Sequence, residues 1–175
     1  MDLDIKGALE LLNFYLETKN EKRAFTICGG ASLYLQGITT RTTRDIDMVG
    51  EEMDQILTEA ALLVAKDLGL KPQWLNTEPK SLARDLKPGW EERIFLIHED
   101  SHLKVFSISR ADMIFAKFYA YCDRQKDIED LVSLRVTIDE ITDAAEYTKL
   151  KDGHPLWPKH VDAQVLKLKK RLGYE

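Results

Sequence analysis

Two aspartates separated by one residue are the first side chains in this sequence whose spacing indicates chemistry. Asp45 and Asp47 fall within residues 45–49, where acidic and apolar residues alternate. Such alternation predicts a β-strand, on which residues i and i+2 face the same side. Two carboxylates on one side can share a hard cation such as Mg²⁺, whose other positions take water or phosphate oxygens. Acidic pairs at this spacing also arise by chance in a chain with 30 Asp and Glu residues, but the apolar residues around this pair predict a rigid strand.

A pair of glycines follows the preceding apolar segment. Residues 24–28 form a short apolar run that predicts a buried strand, and Gly29 and Gly30 end it before a helical pattern resumes. Because glycine has no Cβ atom, such a turn lets backbone N–H groups approach a phosphate at the positive end of a helix dipole. The pattern is also that of an ordinary strand-to-helix turn, and it is the combination with the later Asp45 and Asp47 that favours a phosphate and metal site.

The elements that must position these residues predict an α+β fold, with a small mixed β-sheet, flanking helices and a helical C-terminal part. Strands are predicted over residues 24–28, 45–49, 93–98 and 103–109. Helices are predicted over residues 3–19, 31–36, 51–68, 110–121, 126–135 and 161–172, with another starting at Thr137. Residues 71–92, which contain three of the five prolines, predict an irregular surface segment.

Composition and charge narrow the class of protein. The chain has 175 residues, 44% of them hydrophobic, which is enough for a core. The net charge of −5 argues against binding duplex nucleic acid over the whole surface and leaves a local basic patch open. Cys28 and Cys122 cannot build a disulfide framework, and no run of apolar residues is long enough for a membrane span. We therefore expect a cytoplasmic protein without membrane contact.

Two segments carry a resemblance to a known family. Residues 27–49, ICGGASLYLQGITTRTTRDIDMV, resemble the signature of the polymerase-β-like nucleotidyltransferase superfamily, a hydrophobic-Gly-Gly/Ser turn followed by Asp-hydrophobic-Asp. The R-x-T-R-D-I-D form is similar to the bacterial nucleotidyltransferase-like toxins of the AbiEii and MenA group. Residues 112–134, DMIFAKFYAYCDRQKDIEDLVSL, resemble that group's helical motif, a lysine followed by R/K-D-x-x-D-L. The resemblance implies a nucleotidyltransferase-like core over residues 1–135. The helical pattern that follows predicts a helical extension packed on it over 136–175.

The resemblance also implies roles for individual residues. Gly29 and Gly30 would contact nucleotide phosphates, and Asp45 and Asp47 would hold Mg²⁺. Arg44, like Arg41, either contacts phosphate or balances the charge of the aspartates.

Downstream, Lys117 would reach the triphosphate, and Asp127 would lie at the same catalytic site. Active superfamily members carry a third carboxylate in a later strand, whereas the strands predicted over 93–98 and 103–109 contain none. Either Asp127 completes the metal site from a helix, or the site is incomplete.

Two functions follow from these alternatives. One is a Mg²⁺-dependent nucleotidyltransferase that moves a nucleoside monophosphate from an NTP to an acceptor such as RNA or tRNA, with an antibiotic-like small molecule as another acceptor class. As a toxin–antitoxin or phage-defence protein, it would pair with a helix-turn-helix antitoxin-like protein. The other is a catalytically inactive member that binds nucleotide or protein.

The C-terminal residues are rich in cations and carry few acids. Such a helix either contacts RNA phosphates or presents a solvated face. The cations are Lys149, Lys151, Lys159, Lys167, Lys169, Lys170 and Arg171.

Overall fold

The computed structural model describes residues 3–174, which form two compact units. The sheet unit comprises the described residues up to 84 together with 89–108, and the helical unit comprises 85–88 together with those from 109 onward. Among residues 3–174, none of the helices has the length and apolar content that a membrane span requires. The domain boundary expected at residue 135 stays a prediction.

The sheet unit is built on a five-stranded mixed sheet with the strand order β3-β2-β1-β5-β4. Its strands are β1 (Arg23–Cys28), β2 (Ile46–Met48), β3 (Leu75–Asn76), β4 (Phe95–Glu99) and β5 (Leu103–Ser107). The central strand β1 is antiparallel to β2 and parallel to β5. This topology confirms the α+β class and the four expected strands, and it adds β3 inside the segment expected to be irregular.

Helices α1 (Ile5–Thr18) and α3 (Gln55–Leu68) supply much of the core of the sheet unit. The fully buried Leu9, Leu12 and Leu16 recur at helical spacing on α1 and belong to the same buried cluster as residues of α3 and β1. Each such side chain contributes roughly 1.5–3 kcal/mol when it leaves water. The core therefore supports the strands that carry the candidate site.

Helix α3 begins four residues later than its pattern predicts. Asp54 accepts a hydrogen bond from the Leu57 N–H at 2.7 Å and caps the helix. Because that cap fixes the first turn at Gln55, the acidic residues Glu51 and Glu52 precede the helix instead of forming its first turn. The shorter helices α2 (Gly29–Leu35) and α4 (Leu82–Asp85) and a 3₁₀ turn (Trp90–Arg93) complete the elements up to β4.

The helical unit contains α5 (Arg110–Arg124), α6 (Ile128–Ser133), α7 (Ile138–Lys149) and α8 (Trp157–Leu172). A capping box of Thr137 and Glu140 opens α7, as expected from the sequence. Helix α8 starts at Trp157 instead of residue 161, because a proline in its first turn is compatible with helix initiation.

Candidate nucleotide- and metal-binding site

Strand β2 positions the two aspartates. Asp47 is the middle residue of β2, and its neighbours Ile46 and Met48 are buried in the core. Because side chains alternate along a strand, Asp47 faces away from that core and is half-buried. Asp45 lies immediately before β2 and is exposed. The strand is thus two residues shorter than the expected 45–49, with Asp47 within it and Asp45 at its entrance.

Neighbouring polar side chains orient both carboxylates. Asn76 of β3 pairs with Asp47 in register, and its Nδ2 donates to Asp47 Oδ1 at 3.1 Å. Thr43 Oγ1 donates to Asp45 Oδ1 at 3.2 Å. Asn76 is almost fully buried, at 8% exposure, so its amide is a fixed support for Asp47. Sequence reasoning did not identify Asn76, because only the pairing of β3 with β2 brings it to Asp47.

The glycine turn lies directly against Asp47. Cys28 is paired with Asp47 across the sheet, and Gly29 follows it with a φ of +71°, in the left-handed region that favours glycine. A Cβ atom at Gly29 would lie 3.4 Å from Asp47 Oδ2, and one at Gly30 would lie 3.6 Å from Thr43. The structure therefore brings the glycine pair and the aspartate segment together, while Arg44 is exposed just before Asp45.

The backbone after β2 is fixed by a tryptophan. Gly50 has a φ of +84°, and a Cβ atom there would lie 2.5 Å from the Trp90 ring. Trp90 is 7% exposed, so its indole covers the end of the aspartate strand from within the fold. This contact restricts the residue at position 50 to glycine on both conformational and steric grounds.

The donor set fits Mg²⁺ in one binding mode. Mg²⁺ is usually bound by one or two carboxylates together with waters and substrate phosphates. Asp45 and Asp47 supply two carboxylates beside a turn where backbone can approach a phosphate. Across the described residues 3–174, no group of three or more His, Cys, Asp or Glu side chains has the arrangement of metal ligands. The pair would therefore depend on nucleotide phosphates to complete a coordination shell.

The helical unit holds a second charged cluster around Lys117. Lys117 Nζ lies 3.1 Å from Asp127 Oδ1 and 2.7 Å from Asp130 Oδ2. The side chains are 11%, 22% and 1% exposed, respectively. Burial alone would lower the pKa of Lys117, but Asp130 and Asp127 outweigh it and raise the pKa above its usual 10.5. The lysine is therefore a buried ammonium held by two carboxylates.

Asp130 is the member of this cluster that sequence reasoning did not assign to a site. Its signal is the D-x-x-D spacing at the start of α6, which places both carboxylates one turn apart. Asp127 precedes α6 with a φ of +69° and does not cap the helix with its side chain. Lys117 and Asp127 lie in the helical unit, whereas the glycine pair and the two aspartates lie in the sheet unit. A site shared by both groups stays a prediction.

The comparison with protein families identifies the group to which the chain belongs. A family model described as "Nucleotidyltransferase of unknown function (DUF6036)" matches residues 5–146. Comparisons with curated proteins and with solved structures found no match. The matched residues run from the start of α1 into α7, so they include the glycine pair, both aspartates and the Lys117 cluster, and α8 lies beyond them. The chain therefore belongs to the DUF6036 family of nucleotidyltransferases.

Proposed function

We propose that this protein is a Mg²⁺-dependent nucleotidyltransferase that moves a nucleoside monophosphate from an NTP to an acceptor, with RNA, including tRNA, as the acceptor class. The observation that carries this proposal is the position of Asp47. It lies on β2 opposite the end of β1, with Gly29 against its carboxylate, in a chain of a nucleotidyltransferase family.

The roles of the residues follow from their chemistry. Asp45 and Asp47 would hold Mg²⁺, which when bound neutralises charge on the phosphates. The open backbone at Gly29 and Gly30 would lie along the phosphates, and Arg44 would add an exposed cation beside them. In the transfer, an acceptor hydroxyl oxygen forms a bond to the α-phosphorus and loses its proton to solvent, while the bond to the departing pyrophosphate breaks. Positioning the phosphates for this in-line displacement is the main task of such a site.

Within this class of enzyme, we propose that the protein belongs to the AbiEii and MenA toxin group. The R-x-T-R-D-I-D segment and the downstream lysine with R/K-D-x-x-D-L occur in the order of that group. In that setting, the protein is the toxic or phage-defence component, Lys117 reaches the triphosphate, and a helix-turn-helix antitoxin-like protein is its partner. Growth arrest on expression, relieved by a protein from the neighbouring gene, would support this assignment, and unaffected growth would contradict it.

A catalytically inactive member that binds nucleotide or protein is the second candidate. The observation that favours it is the number of carboxylates, because residues 3–174 offer a pair and no cluster of three metal-ligating side chains. A member of this kind would bind NTP with Mg²⁺ through Asp45 and Asp47 without turnover.

One labelling experiment separates the candidates. The full chain is incubated with each α-³²P-labelled NTP, Mg²⁺ and total RNA, and we expect label on RNA that is lost with EDTA and in Asp45→Asn. Glu10→Gln, which removes an exposed carboxylate from α1, is the matched control and should retain labelling. Mg²⁺-dependent NTP binding without transfer would indicate the inactive member. Label on an added aminoglycoside instead of RNA would indicate a small-molecule acceptor, and neither binding nor transfer would refute the proposal.

A further inference from the structure

Helix α8 presents a lysine face to solvent. Successive residues of an α-helix are rotated by about 100° around the helix axis. When the residues of α8 are placed in this way, five exposed residues fall within one arc of about 100°. They are Lys159, Ala163, Leu166, Lys167 and Lys170, all of them exposed. The opposite side of the helix carries the buried Val161, Gln164 and Leu168. We refer to the exposed arc as the lysine face.

The lysine face contains three cations and no acid. Among residues 3–174, no ion pair or side-chain hydrogen bond involves Lys159, Lys167 or Lys170. The single acid of α8, Asp162, is bound to Lys149 at 2.8 Å. The lysines are thus uncompensated cations on a chain whose net charge is −5.

The helix dipole explains only part of this pattern. Cations in the last turn of a helix are stabilised by its C-terminal carbonyls, which accounts for Lys170 together with its neighbours Lys169 and Arg171. Lys159 lies in the first turn, where a cation is unfavourable, and Lys167 precedes the last basic run. From Lys159 to Lys170 the helix rises about 16 Å, so the cations form an extended row. An extended row of flexible point charges matches a polyanion better than a single small anion.

An exposed aromatic ring lies at the C-terminal end of the same helix. Tyr174 follows the left-handed Gly173 cap, and its hydroxyl donates to the Val136 carbonyl at 2.8 Å. The ring is nevertheless 41% exposed. A partly exposed ring at the end of a basic helix can stack on an unpaired base, since proteins that bind single strands combine cations with such rings.

We propose that the lysine face of α8, with Tyr174 at its end, binds the phosphate backbone of a single-stranded RNA segment. This inference rests on the proposed function, in which RNA is the acceptor of the transferred nucleotide. The face lies beyond the residues that match the family model, so it is a feature of this chain outside the family core. Its role is to hold the acceptor strand through phosphate contacts that carry no sequence preference.

The test is the salt dependence of RNA binding by the full chain, measured without NTP or Mg²⁺. Binding of a fluorescein-labelled single-stranded RNA is followed by anisotropy for the wild type and for Lys159→Gln/Lys167→Gln/Lys170→Gln. Three phosphate contacts on a single strand contribute about 2 to the slope of log K against log salt, and about 100-fold in affinity at 0.1 M salt. We expect the triple variant to lose this contribution to the slope and this contribution to the affinity. Tyr174→Ala should weaken binding about tenfold with an unchanged slope, because stacking releases no counterions.

A second triple variant controls for net charge. Lys6→Gln/Lys66→Gln/Lys71→Gln removes three exposed lysines from the sheet unit and should keep the wild-type slope and affinity. Equal losses in both triple variants, or wild-type binding without salt dependence, would overturn the inference. If Lys159→Gln/Lys167→Gln/Lys170→Gln kept RNA binding but lost binding to polyglutamate, the lysine face would bind an acidic protein. That result would also overturn the inference. RNA binding is measured without NTP or Mg²⁺, so a wild type that binds RNA through the lysine face but transfers no nucleotide contradicts the proposed function alone. A wild type that transfers nucleotide but binds RNA independently of Lys159, Lys167 and Lys170 contradicts this surface alone.

Discussion

Replacement of Lys117 by methionine is the most informative perturbation of the helical unit. Methionine keeps the length and apolar stem of lysine but removes the ammonium that lies 3.1 Å from Asp127 and 2.7 Å from Asp130. Asp130 is 1% exposed, so its carboxylate would remain buried without the cation opposite it. Removing one partner of a buried ion pair typically lowers the free energy of unfolding by about 3–5 kcal/mol. We expect a loss in this range in urea unfolding followed by circular dichroism.

Lys149 offers a control because its ammonium also contacts two carboxylates, which are far more exposed. Its Nζ lies 2.8 Å from both Glu146 and Asp162, but those carboxylates are 68% and 61% exposed. Exposed ion pairs contribute about 0–1 kcal/mol, because water solvates the carboxylates when the cation is removed. Lys149→Met should therefore change the free energy of unfolding by no more than that.

A double variant separates charge from shape at Lys117. Lys117→Met/Asp130→Leu replaces the buried pair by apolar side chains, which is often neutral or stabilising. We expect it to recover most of the loss seen in Lys117→Met. If Lys117→Met costs no more than Lys149→Met, or if the double variant is less stable than the single one, the reasoning about burial is wrong.

The pH dependence provides an independent check on Lys117. Its pKa is raised above 10.5 in the folded protein, so the ion cluster contributes its full stability below that pH and loses it as the pH rises through the folded pKa. The difference in free energy of unfolding between wild type and Lys117→Met should be constant from about pH 7 to 10 and decrease above that range. A difference that decreased already between about pH 7 and 9 would contradict the raised pKa.

Two further predictions concern the glycine turn and a buried thiol. Gly29→Ala and Gly37→Ala should each lose about 1 kcal/mol, because both positions have a φ near +70°, but only the first places a Cβ atom against Asp47. Mg²⁺-dependent NTP binding, measured by calorimetry, should therefore fall in Gly29→Ala alone, and an equal fall in both would contradict the site geometry. Burial raises the pKa of the Cys122 thiol to about 12. In a Cys28→Ser background, Cys122 should react with a disulfide reagent at pH 8 at least about 1,000-fold faster after unfolding, and fast reaction of the native protein would refute its burial.

The sequence predicted the elements whose signals lie close together in the chain. The start of α7 at Thr137, the ends of α3 and α8 at residues 68 and 172 and the strand around Asp47 depend on neighbours within a few residues, and the structure confirms these elements. The two aspartates and the glycine pair could be assigned to one site from the sequence, because a strand and a turn have fixed geometry.

Contacts between distant segments could not be predicted in this way. Strand β3 has only two residues within an irregular segment, and its existence depends on pairing with β2, so the support of Asp47 by Asn76 was missed. The role of Asp130 depends on burial, which its D-x-x-D spacing does not reveal. In both places the missing information is tertiary contact.

Mg²⁺-dependent NTP binding by Asp47→Asn, measured together with its thermal stability, tests the proposed site most directly. Asparagine keeps an oxygen that can accept from Asn76 and removes the charge that Mg²⁺ requires, so affinity in the presence of Mg²⁺ should fall about 100-fold, equivalent to about 2.7 kcal/mol. If Asp45 and Asp47 share one cation site, the change also relieves repulsion between their carboxylates, so the melting temperature should stay the same or rise slightly. Glu10→Gln should match the wild type in both measurements. A lower melting temperature with intact Mg²⁺ and NTP binding would show that Asp47 is a structural residue and would contradict the metal site.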